Sequence, residues 1–545
     1  MAVVDQLQRI REIPVKPAAI PAKPAVATLW PRRPEDGLNP AVLARVRPSD
    51  WINPQSPGRY DLLVAGGGAA GIAAAEHAAS LGVRVALATD EPLGLDILAD
   101  ALPRAVFLRS AGQVCQIRRA AAAAWPEARL GRLDFPSLVE QLAAARQEAA
   151  ERYAARRLAG RGVAVYLGPM SFTGPNCLKV AGQTLSFSRA ILTPVARTTV
   201  PEIEGLEQLG YQTPETLGTL AELPRRWAIV GSTTVACELA QAFRRLGSAV
   251  DLIIPDGRLL ADHEPVVGEL LARQFAADGI EVHCGWSCQR GQRTGAAKSL
   301  VIQRHGQFKK LLTDEILVAG PRHCDLGWLR PSAAGLAMHG ADIRADAWLR
   351  TSNARIFSIG PSDLGDALAG EAVEGVARLA VENAMSWRKR PAGELPAASW
   401  IRTDPLVCRL RRHAVRTGSL ADNGAVGSQA DTITSHVFLL PPESAGGAGL
   451  TLFGGSAPVG GSGELGSSGW LILRVSRLHR RVVGTTVVGP AARDLVVPLT
   501  TILTDSPGSS AFWVSRILKA LRVPENASAA SKPAWLERRV DEALS

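Results

Sequence analysis

Residues Asp61–Ala75 read DLLVAGGGAAGIAAA, an apolar run broken by three glycines that resumes as a small-residue helical pattern. A Val/Leu/Ala strand fit for burial on both faces belongs in a parallel sheet, and a parallel strand must be followed by a crossover. The spacing of Gly66, Gly68 and Gly71 suits a tight strand-to-helix turn. Gly66 permits the turn, Gly68 lets a pyrophosphate approach the backbone, and Gly71 lets helix pack on strand. VRVALAT at 83–89 supplies the next strand. Residues 227–254, WAIVGSTTVACELAQAFRRLGSAVDLII, repeat the strand-turn-helix-strand unit. Two such nucleotide-type βαβ units support a doubly wound α/β protein.

The 545 residues allow several domains, and 21% charged with 46% hydrophobic residues fits a globular chain. No stretch approaches the ~18 consecutive apolar residues of a membrane-spanning helix. MAVVDQLQRIREIP has no apolar segment of signal-peptide type. Seven scattered cysteines suggest a reducing compartment, so a cytoplasmic location is expected. The net charge of +10 comes from dispersed arginines with short clusters at Arg388–Arg390 and Arg409–Arg412. Nucleic acid needs a concentrated patch or stripe, and none is expected as a partner.

Beyond the glycine units, a Pro/Ala-rich opening reads as an extended arm over residues 1–58. An amphipathic helix is expected at about Phe135–Arg157, with short strands near Val163–Leu167 and Leu178–Val180. A Gly/Ser-rich tract at about 444–468 reads as a loop or linker, and strands resume at Trp470–Val475 and Val482–Val488. Cys284 and Cys288 form a close pair in CGWSC, a spacing weak for redox work or zinc, so no metal site is assigned.

Several segments together resemble the class I pyridine nucleotide-disulfide oxidoreductases, and their mercuric reductase-like members in particular. They are PSDWINPQSPGRY at 48–60, YQTPETLGTLAELPRRWAIVG at 211–231 with ELAQAFRRLGS after it, TSNARIFSIG at 351–360, and GTTVVGPAA at 484–492. The resemblance implies two Rossmann-like dinucleotide-binding domains, an FAD-type one over 59–200 and 320–393, split around an NAD(P)-type one at 201–319. It also implies an α+β dimerisation domain at 394–545, carrying the Gly/Ser-rich insertion, and hence a homodimer. Gly66, Gly68, Gly71, Thr193 and Gly360 are then the residues expected to contact FAD.

Against that pattern the chain shows correlated losses. Aligned without gaps, Asp96 and Ala101 stand at the two redox cysteine positions, and Ala105 stands at the flavin-facing lysine. Disulfide exchange needs an attacking thiolate and a second sulfur, and neither Asp nor Ala supplies one. Thr89 replaces the ribose-binding acid, with Asp90 one place off and on the opposite strand face. In the second motif, Gly231-Ser232-Thr233-Thr234-Val235-Ala236, only the first glycine remains, although Glu238, like the acid near the nicotinamide in relatives, is kept. Ile254 and Pro255 offer neither an acid for NAD nor a base for a 2′-phosphate, so NAD(P) is not expected. Pro361 replaces the second flavin aspartate, and His479 lies well upstream of the C-terminal catalytic histidine's place. No catalytic residue is assigned. The expectation is a catalytically degenerate pseudoenzyme, dimeric, with a weakened FAD site and a binding or regulatory role. The alternative is an active FAD-dependent NAD(P)H oxidoreductase that passes electrons to oxygen or a quinone, since flavin needs no protein thiol for this.

Overall fold

The computed structural model describes residues 38–124, 133–360 (apart from 296, 325 and 341), 371–392, 396–412, 433–440, 451–453, 469–476, 481–489 and 492–504. Part of the expected extended arm is instead folded onto the body. Residues Pro40–Val46 form a helix, α1, because Asn39 accepts a hydrogen bond from the Val42 N–H at 2.8 Å and Pro40 fits the first turn. Val42 and Val46, four apart, bury completely in the core. Asn53 then pairs both ways with the Leu167 backbone, at 3.0 and 2.8 Å.

The first sheet is built from β1 (Arg59–Ala65), β2 (Val85–Thr89), β3 (Ala164–Leu167), β4 (Met170–Gly174), β5 (Cys177–Val180) and β6 (Gln183–Leu192). Their order is β3-β2-β1-β6-β5-β4, parallel from β3 to β6. Helix α2 (Ala69–Ser80) crosses from β1 to β2, and its Ala74, Ala75 and Ala78 are buried. After β2 a π-helical turn at Asp96–Ala101 runs directly into the long α3 (Leu102–Ala124). Helix α4 (Phe135–Arg152) stacks Phe135 on Phe107 of α3, with ring centroids 6.2 Å apart.

The second glycine unit makes a smaller parallel sheet. Its strands are β7 (Arg226–Val230), β8 (Ala249–Ile254), β9 (Glu281–Cys284) and β13 (Glu315–Val318), ordered β9-β8-β7-β13, with α6 (Thr234–Leu246) after β7 and the three-stranded antiparallel ribbon β10 (Ser287–Thr294), β11 (Ala297–Arg304) and β12 (Gln307–Thr313) before β13. (Helix α5 is Ala155–Gly160, before β3, and α7, Pro265–Asp278, lies between β8 and β9.) The chain then returns to the first sheet: β14 (Ile356–Ser358) pairs in parallel with β6, and α8 (Glu371–Met385) packs on α2. This return closes one sheet from two distant stretches of chain.

The C-terminal strands form a six-stranded antiparallel sheet, in the order β15 (Pro396–Ile401), β16 (Val407–Arg412), β20 (Arg481–Val488), β19 (Gly469–Ser476), β17 (Ile433–Leu440) and β18 (Thr451–Phe453). Helix α9 (Ala492–Thr504) lies against β16 and β20. Within the Gly/Ser-rich tract, Thr451–Phe453 is a strand paired with β17, and the rest of the tract lies outside the described residues. Ile401, Val407, Trp470, Ile472 and Val488 share one apolar cluster with Trp227, Phe243 and Leu271 of the second unit. Among the described residues no helix is long and apolar enough to cross a membrane.

Candidate functional site

The C-terminal ends of β1, β2, β6 and β14 meet beside the glycine turn, where open α/β sheets place their ligands. Gly66 has φ +128, and a Cβ there would lie 2.1 Å from the Thr193 carbonyl oxygen. A Cβ on Gly71 would lie 2.0 Å from the Gly66 oxygen, so helix and strand are in backbone contact. Thr193, buried, donates its hydroxyl to the Gly66 carbonyl at 3.1 Å. Gly360 follows β14, and Ile359 N donates to the Leu192 carbonyl at 2.8 Å. The structure thus brings Gly66, Gly68, Gly71 and Thr193 together and puts Gly360 at the end of the adjoining strand. Pro361, Asp363 and Asp366 lie outside the described residues.

The turn is not open. Asp96, from the π-helical turn, places its carboxylate on the N-terminus of α2. Ala69 N–H donates to its two oxygens at 3.2 and 3.0 Å, and Ile97 N–H donates at 3.0 Å. A Cβ on Gly68 would lie 2.8 Å from Asp96 Oδ2. Burial drives the Asp96 carboxyl up to about 6, against the lowering effect of those backbone donors and with the Asp100 charge adding to the rise. Thr89 is buried and exchanges hydrogen bonds with Glu91, which is ion-paired to Arg197.

One turn further, the buried polar side chains form an ionic network. Asp100 and Arg104 lie 3.7 Å apart, Arg104 and Glu238 of α6 3.7 Å apart, and Asp100 and Arg322 3.6 Å apart. Asp100 and Arg104 are each 4% exposed and Glu238 is 1% exposed, so these charges are stripped of water and compensate one another. Glu238 also accepts from the Arg402 N–H at 2.7 Å, which ties the C-terminal segment to the same point. Glu215, close by, accepts from the Thr198 N–H and hydroxyl, each at 2.9 Å, and burial followed by the Asp100 charge raises its carboxyl. Arg146 of α4 donates to the Leu98 carbonyl at 2.9 Å, and burial brings its guanidinium down to about 10.

Sequence reasoning set Ala105 at the place of a cation. In the structure Ala105 is exposed and Arg104 is the buried cation facing Glu238. A π-helical turn carries one more residue than an α turn, so the faces of the following helix are rotated by about 100°. An arginine flanking the aligned position was the signal available in the sequence. Thr233, in the motif that keeps only its first glycine, is a helix cap: it accepts from the Ala236 N–H at 3.2 Å and donates to the Ala319 carbonyl at 2.7 Å. A hydroxyl three residues ahead of Ala236 at a helix start was the cue.

All seven cysteines are free. Burial pushes the Cys288 and Cys408 thiols up to about 12 and raises those of Cys237 and Cys284, so none of these four offers a thiolate at neutral pH. Asp251, Glu281 and His283 converge at the edge of the second sheet. His283 there pairs with Asp251 at 2.7 Å while Lys309 reaches Glu281 at 3.5 Å, an internally compensated cluster. Bordering the ionic network, a cavity of about 660 Å³ is lined by Glu238, Trp400, Arg109, Arg402 and Arg493. Of the four arginines that line it, Arg109, Arg402 and Arg493 are exposed and Arg245 is half-buried.

The sequence profile of the pyridine nucleotide-disulphide oxidoreductases matches residues 60–370, more than half of the chain. The chain belongs to that family. It is 27% identical over 310 residues to a mercuric reductase from Staphylococcus aureus, covering 56% of each chain. Over 183 residues it is 36% identical to a mercuric reductase from Acidithiobacillus ferrooxidans, covering 33% of this chain and 32% of that one. It therefore aligns with little more than half the length of the former and a third of the latter. Among solved structures, the HOCl-induced flavoprotein disulfide reductase RclA from Escherichia coli superposes with a TM-score of 0.64 at 18% identity. That match covers 89% of this chain and 99% of the other, and it establishes a shared fold.

FAD is the group the fold family implies. The glycine turn has the backbone shape for it, but the first N–H of α2, that of Ala69, is held by Asp96, which also fills the space beside Gly68. The Thr193 hydroxyl is likewise spent on the turn itself, and Thr89 is tied to Glu91. In this conformation the residues present do not fit the cofactor.

Proposed function

We propose that this chain is a catalytically degenerate, mercuric reductase-like member of its family that acts as a binding or regulatory protein, as a homodimer. The observation that carries this reading is the buried network of Asp100, Arg104, Glu238 and Arg322 beside the turn where the family resemblance places a redox cysteine pair. Carboxylates and guanidinium groups hold charge but cannot exchange a disulfide. The buried thiols elsewhere are raised away from reactivity. The arginine-lined cavity between α3, α6 and the C-terminal segment supports a binding role toward an anionic group.

The test is oxidation of NADH and NADPH by the purified protein with excess FAD, with mercuric ion or a small aromatic disulfide as acceptor. The reading expects no consumption above the protein-free rate. Sustained, protein-dependent consumption with either acceptor would overturn it.

A further inference from the structure

We propose that Asp96 is a built-in occupant of the dinucleotide site, an internal carboxylate seated where a cofactor pyrophosphate would bind, so that the folded chain excludes FAD until that side chain is removed or displaced. The inference deepens the reading of a dismantled reaction centre and rests on it only for the family's cofactor. Helix N-termini bind phosphate because their first N–H groups are unpaired inside the helix and the helix dipole favours negative charge. At α2 the first of these donors is already taken: both Asp96 oxygens lie on the Ala69 N–H, and no side chain of α2 caps it. The second fingerprint glycine, Gly68, leaves room for close approach of an anion, and the group that approaches is Asp96 Oδ2.

The carboxylate is held firmly in that place. Asp96 is followed by Ile97 and Leu98 and preceded by Leu95, all buried in the first core with Tyr153. Its countercharge is the helix end: the arginines nearby, Arg104 and Arg322, pair with Asp100. A pyrophosphate arriving beside it would meet a like charge in a half-buried site, where repulsion is stronger than in open water. The remaining contact points, Thr193 and Thr89, are satisfied within the protein. Glycine spacing is thus kept by helix-strand packing at Gly66 and Gly71, independently of any ligand.

The experiment compares FAD uptake by the full-length parent with Asp96→Ala and Asp96→Asn. Each is incubated with FAD and desalted, and the retained flavin is read by visible absorbance and by quenching of flavin fluorescence. Circular dichroism and thermal unfolding confirm that each is folded. The expected result is no retained FAD in the parent and at least tenfold tighter binding in Asp96→Ala, with Asp96→Asn between them. Where Asp96→Ala does not fold, the neutral, same-sized Asp96→Asn decides. A parent that purifies with FAD, or folded variants that bind no better than the parent, would overturn the proposal. Uptake reads this inference alone, whereas disulfide or mercuric-ion reduction by a variant loaded with FAD would count against the functional reading instead.

Discussion

At the scale of single residues, the site is governed by charges taken out of water. Asp96 titrates near about 4 in an unfolded chain and at about 6 when folded. The folded state therefore holds its proton more tightly. Its contribution to stability is fully present below about pH 4 and is lost as pH rises through about 6. A separation of about two pH units is worth on the order of 3 kcal/mol. Asp96→Asn is expected to melt above the parent at pH 8, with the gain vanishing towards pH 4. A gain independent of pH would contradict the assignment. Arg104 makes the opposite case. Replacing it with Met leaves Asp100 and Glu238 buried without their shared cation and is expected to lose about 3 kcal/mol in urea unfolding. Adding Glu238→Gln to that variant restores part of the loss, because the two sites are coupled. Equal, additive losses would show that the two groups do not interact.

At the scale of elements, the glycines divide by what they touch. Gly71→Ala puts a methyl group 2.0 Å from the Gly66 oxygen, so α2 has to move off β1. A loss of about 3 kcal/mol is expected by denaturant unfolding, the upper end for overpacking. Thr233→Ala removes a helix cap and its bond to Ala319, with an expected loss of about 1 to 2 kcal/mol. A neutral result would mean that the hydroxyl does not hold the start of α6. These elements were legible in the sequence to differing degrees. Apolar runs and glycine turns marked β1, α2, β7 and α6 because strand and helix periods are local. The capping of α2 by Asp96 was not legible, since the two lie 27 residues apart and only the tertiary fold brings them together. Nor was the rotation of α3, because nothing in ungapped spacing signals a π-helical turn. Helix α1 was hidden by the proline-rich stretch before it, although Asn39-Pro40 is a start signal.

At the scale of the whole molecule, the chain has the fold of its family, with buried ion pairs among Asp100, Arg104, Glu238 and Arg322 beside the glycine turn. Each parallel sheet carries a separate buried apolar cluster on either face, and the C-terminal sheet shares one of those of the second unit. The fold is thus held by packing that owes nothing to the reaction. Family membership was legible because it rests on such packing and on turns. Of this region the sequence made legible the residue types at Asp96, Ala101 and Ala105, but not the ion pairs that Arg104 makes across the fold with Glu238. The most direct measurement is a visible absorbance scan of the purified protein after incubation with FAD and desalting, repeated after addition of NADH and then NADPH. The account predicts no flavin band and no change in the nicotinamide absorbance. A retained flavin band that bleaches with either nucleotide would show a working oxidoreductase and contradict it.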